Sequence, residues 1–281
     1  MTNLQSRPSR SLASKVAIVT GAGSAGEGIG NGRAAALLLA EDGCHVVCVD
    51  INTEWADKTV EMIQNEGFAE AATCSGDVSN PDDCSRIVQF ATEKFGRLDI
   101  LINNVGVVGA KGTAIDLDLN EWNRGFEVNV NSIMLMSKYA IPVMMKNDRD
   151  RDVRGSIVNI GSVAGLRGGT PHLLYPTTKG AVVNMTRAMA AHHAPDGIRV
   201  NCVCPGMLYT PMMYGNGMSD EARVARKERS LLKTEGCGWD CGSAVRFLAG
   251  PEARWITGTI LTVDAGTTAC TSTNMAKGAT V

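Results

Sequence analysis

Short β-rich apolar runs that alternate with longer helical segments predict an α/β fold, a doubly wound parallel sheet of about seven strands with helices on both faces. Three observations carry that reading: the runs are short, most are apolar without alternation, and a glycine-rich turn follows the first. Continuous apolar character marks strands that helices cover on both sides. The runs are VAIVT (16–20), HVVCVD (45–50), AATCSGD (71–77), DILINN (99–104), SIVNIGS (156–162), IRVNCVCP (198–205) and TILTVD (259–264).

The segments between them carry helix ends. RAAALLLAEDG runs into Gly43 as a stop. SNPDDCSRIVQFATEKFG (79–96) has a polar cap, Pro81 in its first turn, early acids, Lys94 late and Gly96 as terminator. Two further helices are expected at about 131–146 and 175–194. The rhythm breaks over about 207–238, which is rich in Met, Tyr and Gly and then charged. An excursion of that size inside a compact domain is often a lid. The expected organisation is a flexible tail over 1–13, a single domain over 14–266 that includes this lid, and a C-terminal tail over 267–281.

Composition narrows the partners. The formal net charge is −2 and the isoelectric point is near 6.1, so nothing electrostatic points to nucleic acid or an anionic membrane. No apolar run reaches the ~20 residues that span a bilayer, and MTNLQSRPSRSL lacks the apolar core of a secretory leader. Nine cysteines scattered through strands and helices fit reduced, mostly buried thiols better than a disulfide framework. Neither Cys202/Cys204 nor Cys237/Cys241 has a matching His/Cys set for zinc, and no metal is expected. A cytoplasmic protein is the expectation.

The turn itself, TGAGSAGEGIGNGRAAALLLAEDG (20–43), suggests a ligand. Glycines between a first strand and a helix let backbone N–H groups approach a pyrophosphate at the helix's positive end. Asp50 closes the second run, where a carboxylate can bind both hydroxyls of an adenosine ribose. Neither the loop nor Asp50-Ile51-Asn52 offers a Lys or Arg to neutralise a 2′-phosphate, so NAD is favoured over NADP.

Six motifs in order then set the class. The turn, Asp50, Asp77-Val78, NNVG (103–106), Ser162 with Tyr175-x-x-x-Lys179, and Pro205-Gly206 with Thr210 resemble the short-chain dehydrogenase/reductase family over about residues 14–266. The resemblance implies a Rossmann-type sheet and a dinucleotide-binding catalytic domain. The family's TGxxxGxG turn would need glycines where Ala25 and Glu27 stand. The family spacing back from Asp50 instead picks Gly32 as the last loop glycine. That implies a five-residue insertion, with Gly30-Asn31-Gly32 at the turn and 23–27 as a flexible bulge. By the same resemblance the cofactor meets Gly21, Gly30, Asn31, Gly32, Asp50, Ile51, Asp77, Val78, Asn104, Gly106, Tyr175, Lys179, Pro205, Gly206, Leu208 and Thr210.

The chemistry follows from spacing and family together. Four residues apart on a helix, Tyr175 and Lys179 face the same way one turn apart. An ammonium there, with the positive nicotinamide ring, favours the phenolate. The resemblance makes Tyr175 the general acid/base, Lys179 its partner on the nicotinamide ribose, Ser162 a donor to the substrate oxygen, and Asn129 the helix asparagine that holds a water beside Lys179. Val107, His172, Leu174, Tyr209 and Met213 fall where family pockets are lined. A Met- and aromatic-rich lid suggests an apolar or bulky substrate. The implied activity is hydride exchange with a secondary alcohol or ketone. A biosynthetic ketone or imine reductase, an epimerase, or a non-catalytic dinucleotide-binding protein would share the motifs. A homotetramer or dimer is expected from the family's use of the helices at 131–146 and 175–194.

Overall fold

The computed structural model describes residue 7 and residues 9–150, 152–215 and 217–269. All seven expected strands form. In chain order the elements are β1 (Val16–Thr20), α1 (Asn31–Glu41), β2 (His45–Asp50), α2 (Thr53–Asn65), β3 (Ala71–Ser75), α3 (Pro81–Phe95) and β4 (Ile100–Asn103). They continue with α4 (Leu119–Phe126), a single π turn (Glu127–Asn131), α5 (Ser132–Met144), β5 (Gly155–Ile160), a 3-10 turn (Val163–Gly165), α6 (Leu174–His193) and β6 (Ile198–Pro205). The segment expected as a lid holds α7 (Pro211–Tyr214) and α8 (Asp220–Glu228); α9 (Gly238–Ala249) and β7 (Ile260–Val263) complete the order.

The sheet is parallel throughout, in the order β3-β2-β1-β4-β5-β6-β7. Strand alternation splits the core into two layers. Ala17, Val19, Val46 and Cys48 face α1, α2 and α9. Ile18, Val47 and Val49 face α3 and α5 on the other side. This double cover is why the strands read as continuously apolar.

The helix ends match their sequence signals. Asn80 caps α3 through the N–H groups of Asp82 and Asp83, and Gly96 ends it in the left-handed region at φ +81°. Gly43, also left-handed at φ +92°, follows α1. β3 stops at Ser75, two residues short of the expected end. Asp77 there accepts from Ser79 instead of joining the ladder.

The tail expected to be flexible over 1–13 is docked at its described end. Leu12 is buried and donates its N–H to Asp42, and Arg10 pairs with Glu252. At the other end Asp264 accepts from Gly266 and Thr268, which folds the start of the C-terminal tail into a turn. Residues 270–281 of that tail lie outside the described residues.

Candidate active site

In an open parallel sheet, crossovers leave from β1 and β4 to opposite faces, and a crevice opens beyond the carboxyl ends of the strands. A cleft of about 540 Å³ lies there, running from Asp50 to Tyr175.

Its floor is the glycine turn. Gly30 stands at the N-cap of α1 with no side-chain cap, and the first turn holds no acid. The side chains of Asn52 and Asn80, by contrast, cap α2 and α3. The first N–H groups of α1 therefore stay free at the helix's positive end. A Cβ on Gly32 would sit 2.0 Å from the Gly21 carbonyl oxygen, so this crossing of turn and helix requires glycine. Gly21 at φ +61° adopts a backbone that favours glycine as well. Gly30, Asn31 and Gly32 all line the cleft, and a Cβ on Gly26 would meet nothing within 4 Å.

The bulge expected to be flexible over 23–27 is instead held. Buried Arg33 donates to the carbonyls of Ser24, Gly26 and Gly28, and Gly23 donates to Asp50 Oδ2 at 3.1 Å. Asp50 Oδ1 accepts from Asn52 N–H at 3.0 Å. Burial pushes the Asp50 carboxyl above the usual range, against the pull of the Asn52, Gly23 and Ile51 amides and the Arg33 charge. Asp77 moves the other way. Burial opposes the shift, but Ser79 and Arg124 hold its carboxyl below the usual range. Ile51, Asp77 and Val78 line the same end, with Trp55 and Arg124 beside them. Asn104 braces the turn from β4 through the carbonyls of Thr20 and Gly21.

At the far end, Lys179 is buried on α6 and donates to the Ile160 carbonyl at 2.8 Å. Its Nζ lies 5.8 Å from the centroid of the Tyr175 ring. A Cβ on Gly106 would approach that Nζ to 3.1 Å. Ser162 follows β5, and its Oγ accepts from the Ala164 N–H at 3.1 Å, which leaves the hydroxyl proton to donate. A Cβ on Gly165 would sit 2.4 Å from the Lys179 carbonyl carbon. That backbone-to-backbone contact fixes α6 against the turn that carries Ser162.

Asn129 lies in the π turn, a feature common at functional sites. It is fully buried; Oδ1 accepts from Val107 N–H at 2.7 Å, and Nδ2 donates to Val107 O and to Thr178. Asn131, two residues on, is exposed. Pro205, Gly206, Leu208 and Thr210 line the cleft beyond β6.

Of the expected substrate residues, Val107 and Met213 line the cleft, with Met212 beside them. His172, Leu174 and Tyr209, expected there as well, stand apart from this cleft. His172 Nδ1 accepts from the Gly112 N–H at 3.1 Å, a bond that ties two loops. Leu174 is fully buried against Gly109 and Gly125. The Tyr209 ring lies between Tyr214, at 4.6 Å, and the Arg223 guanidinium, at 3.9 Å.

Arg33, Trp55, Arg124 and Arg226 on α8, which donates to the Leu208 carbonyl, went unassigned by sequence reasoning. Only Arg33 carried a signal: it is the one charge between the glycine turn and the run AAALLLA. The eight described cysteines are free thiols, seven of them buried. Among the described residues no group of His, Cys, Asp and Glu could hold a metal ion, and no helix is long and apolar enough to cross a membrane.

Comparison with known proteins agrees with this geometry. The family model described as enoyl-(acyl carrier protein) reductase matches residues 23–268. The meso-2,3-butanediol dehydrogenase of Serratia marcescens is 36% identical over 255 residues, 91% of this chain and 95% of that protein. A protein of Burkholderia xenovorans described as a short-chain dehydrogenase/reductase superposes with a TM-score of 0.84 at 38% identity, covering 93% of this chain and 99% of that one. The structure of 7α-hydroxysteroid dehydrogenase with NADH and 7-oxo glycochenodeoxycholic acid gives 0.83 at 32% identity, over 92% and 95%. With one family model spanning most of the chain and relatives of this identity covered almost end to end, the chain belongs to the short-chain dehydrogenase/reductase family of oxidoreductases.

Proposed function

We propose that the protein is an NAD-dependent oxidoreductase for a secondary alcohol and its ketone, with Tyr175 as general acid/base. One observation carries the reading. A single cleft joins a carboxylate suited to a ribose diol, Asp50, to a tyrosine, lysine and serine at its other end.

The residues fit the nicotinamide dinucleotide that the family binds. The first turn of α1 is uncapped, Gly32 has no room for a Cβ, and Asn31 Oδ1 is buried without a partner. Gly21, Gly30, Asn31 and Gly32 would hold the pyrophosphate, with Ile51, Asp77, Val78 and Asn104 around the adenosine. Gly106, Pro205, Gly206, Leu208 and Thr210 would hold the nicotinamide half. Asp50 keeps acceptor capacity for the ribose hydroxyls. Every N–H of the nearby Arg33 is already spent on the protein, which leaves none for a 2′-phosphate. A carboxylate whose neighbouring Arg33 guanidinium is already spent supports NAD over NADP.

When bound, the nicotinamide exchanges a hydride with the carbinol carbon. The chain's own residues manage the proton. Tyr175 takes it from the alcohol or returns it to the ketone oxygen. Lys179, anchored on the Ile160 carbonyl, places its positive charge where the phenolate forms. Ser162 donates to the substrate oxygen as charge gathers there. Asn129 holds the Val107 backbone in place, and its site beside Lys179 supports the water-holding role. Val107, Met212 and Met213 make an apolar wall, which supports an apolar or bulky substrate. Self-association is also proposed: Met134 and Met145 are exposed on and just beyond α5, whereas Met136 and Met144 are core. Light scattering checks it, and a monomer at working concentration would refute it.

The deciding experiment is Tyr175→Phe in an NADH-coupled screen over alcohols and ketones of graded size. Turnover should fall about 10²–10⁴-fold while NADH binding persists. Near-normal turnover would overturn the mechanism, and equal or tighter NADPH binding by the native chain would overturn the cofactor assignment.

A further inference from the structure

We propose that the loop 24–28, which takes in most of the insertion and Gly28 just after it, is the seat of helix α7, and that Arg33 is the positioning residue that makes this seat rigid. Arg33 stands on the third residue of α1 yet exposes none of its surface. Its Nε donates to Thr59 Oγ1, one terminal nitrogen to the carbonyls of Gly26 and Gly28, and the other to those of Ser24 and Trp55. All five donors of the guanidinium are therefore spent, three of them on the loop 24–28. Thr59 completes the ring by donating to the Ala22 carbonyl at 2.8 Å. A five-residue loop with three glycines or alanines would otherwise keep much of its backbone freedom.

The outer side of this loop meets the lid. A Cβ on Gly28 would lie 2.1 Å from Tyr214 Oη and 2.4 Å from Pro211 Cγ, so loop backbone and lid helix are in direct contact. α7 has only four residues, and a helix so short has no stability of its own. Its position must come from what it packs on, and Gly28 and the Tyr209 ring both lie against it. Met212 and Met213 ride on α7 and form part of the cleft wall. A side chain that faces neither cofactor nor substrate thus sets the closure of the cleft over both. The seat is a set of contacts within the chain; only its consequence for NADH rests on the proposed function.

The test uses Gly28→Ala, whose added methyl pushes on the Pro211 ring. Hydrogen exchange is followed in the ligand-free chain at the amides of Met213, Tyr214 and Gly215, which bond to Thr210 and Pro211. Exchange there should rise about tenfold, a local opening eased by about 1.4 kcal/mol, with sheet amides such as Leu101 and Val158 unchanged. Arg33→Lys, which keeps the charge and loses the fork, should do the same. In stopped flow both variants should release NADH about tenfold faster. If Arg33→Lys fails to fold, Gly28→Ala still decides. Unchanged lid exchange in Gly28→Ala would overturn the inference. A native chain that binds no NADH would instead refute the proposed function, and the exchange result would still stand for or against the seat.

Discussion

The two ends of the parallel sheet use their buried polar groups differently. At the amino end, Asp99 accepts from the Val16 amide and from both Nε and Nη2 of Arg97, with Lys15 at 3.5 Å. Arg199 spends its terminal nitrogens on the carbonyls of Leu248, Ala249, Gly250 and Ile256, where α9 ends. Burial pulls its pKa down to about 10. At the carboxyl end, Asn31 Oδ1 has no partner, α1 has no cap, and the Ser162 proton is free. Dense bonding by charged side chains consolidates one end, although Arg199 Nε is buried there without a partner, and the uncapped turn and free hydroxyl proton at the other support a ligand site.

Substitutions can break that contrast. The largest effect is expected at the carboxyl end: Ser162→Ala should lower kcat about 10²–10³-fold and lower the urea midpoint by no more than the loss of its one cap to the Ala164 N–H, about 1 kcal/mol. A matching loss of stability would show that Ser162 serves the fold. Next, at the amino end, Arg199→Met removes hydrogen bonds to four carbonyls and should cost about 3 kcal/mol, read as a lower urea midpoint with KM unchanged. A shift in KM at unchanged stability would reverse the assignment of the two ends.

What was legible in the sequence follows the same division. The seven strands could be read because burial on both faces makes each one a local apolar run. Asp50 and the Tyr175/Lys179 pair could be read because a strand end and a helical turn are short-range geometry. The Arg33 seat and the Gly165 contact depend on groups brought together from distant parts of the chain, Thr59 in one case and α6 in the other. No spacing rule carries those. Leu174, beside Tyr175 in sequence, points into the core rather than the cleft, because neighbours on a helix face different directions.

The smallest expected effect sharpens the contrast inside the cleft itself, between two of its carboxylates. The Asp50 carboxyl lies above its ordinary value, chiefly through burial, so the folded chain holds that proton more tightly than the unfolded chain. Its contribution to stability is full below the ordinary carboxylate value of about 3.9 and is lost as pH rises through its raised value. Asp77 has the opposite sign. Ser79 and Arg124 outweigh burial, so its contribution is present above the ordinary value and lost as pH falls through its lowered one. Urea midpoints measured from acid to neutral pH should show it. The native chain should lose ground to Asp50→Asn on rising pH and gain ground on Asp77→Asn. Asp50→Asn should also weaken NADH binding about tenfold, close to 1.4 kcal/mol, and narrow the margin over NADPH. Parallel slopes for the two variants would mean that Asp50 is an ordinary solvated strand end, and its carboxylate would no longer mark the ribose site.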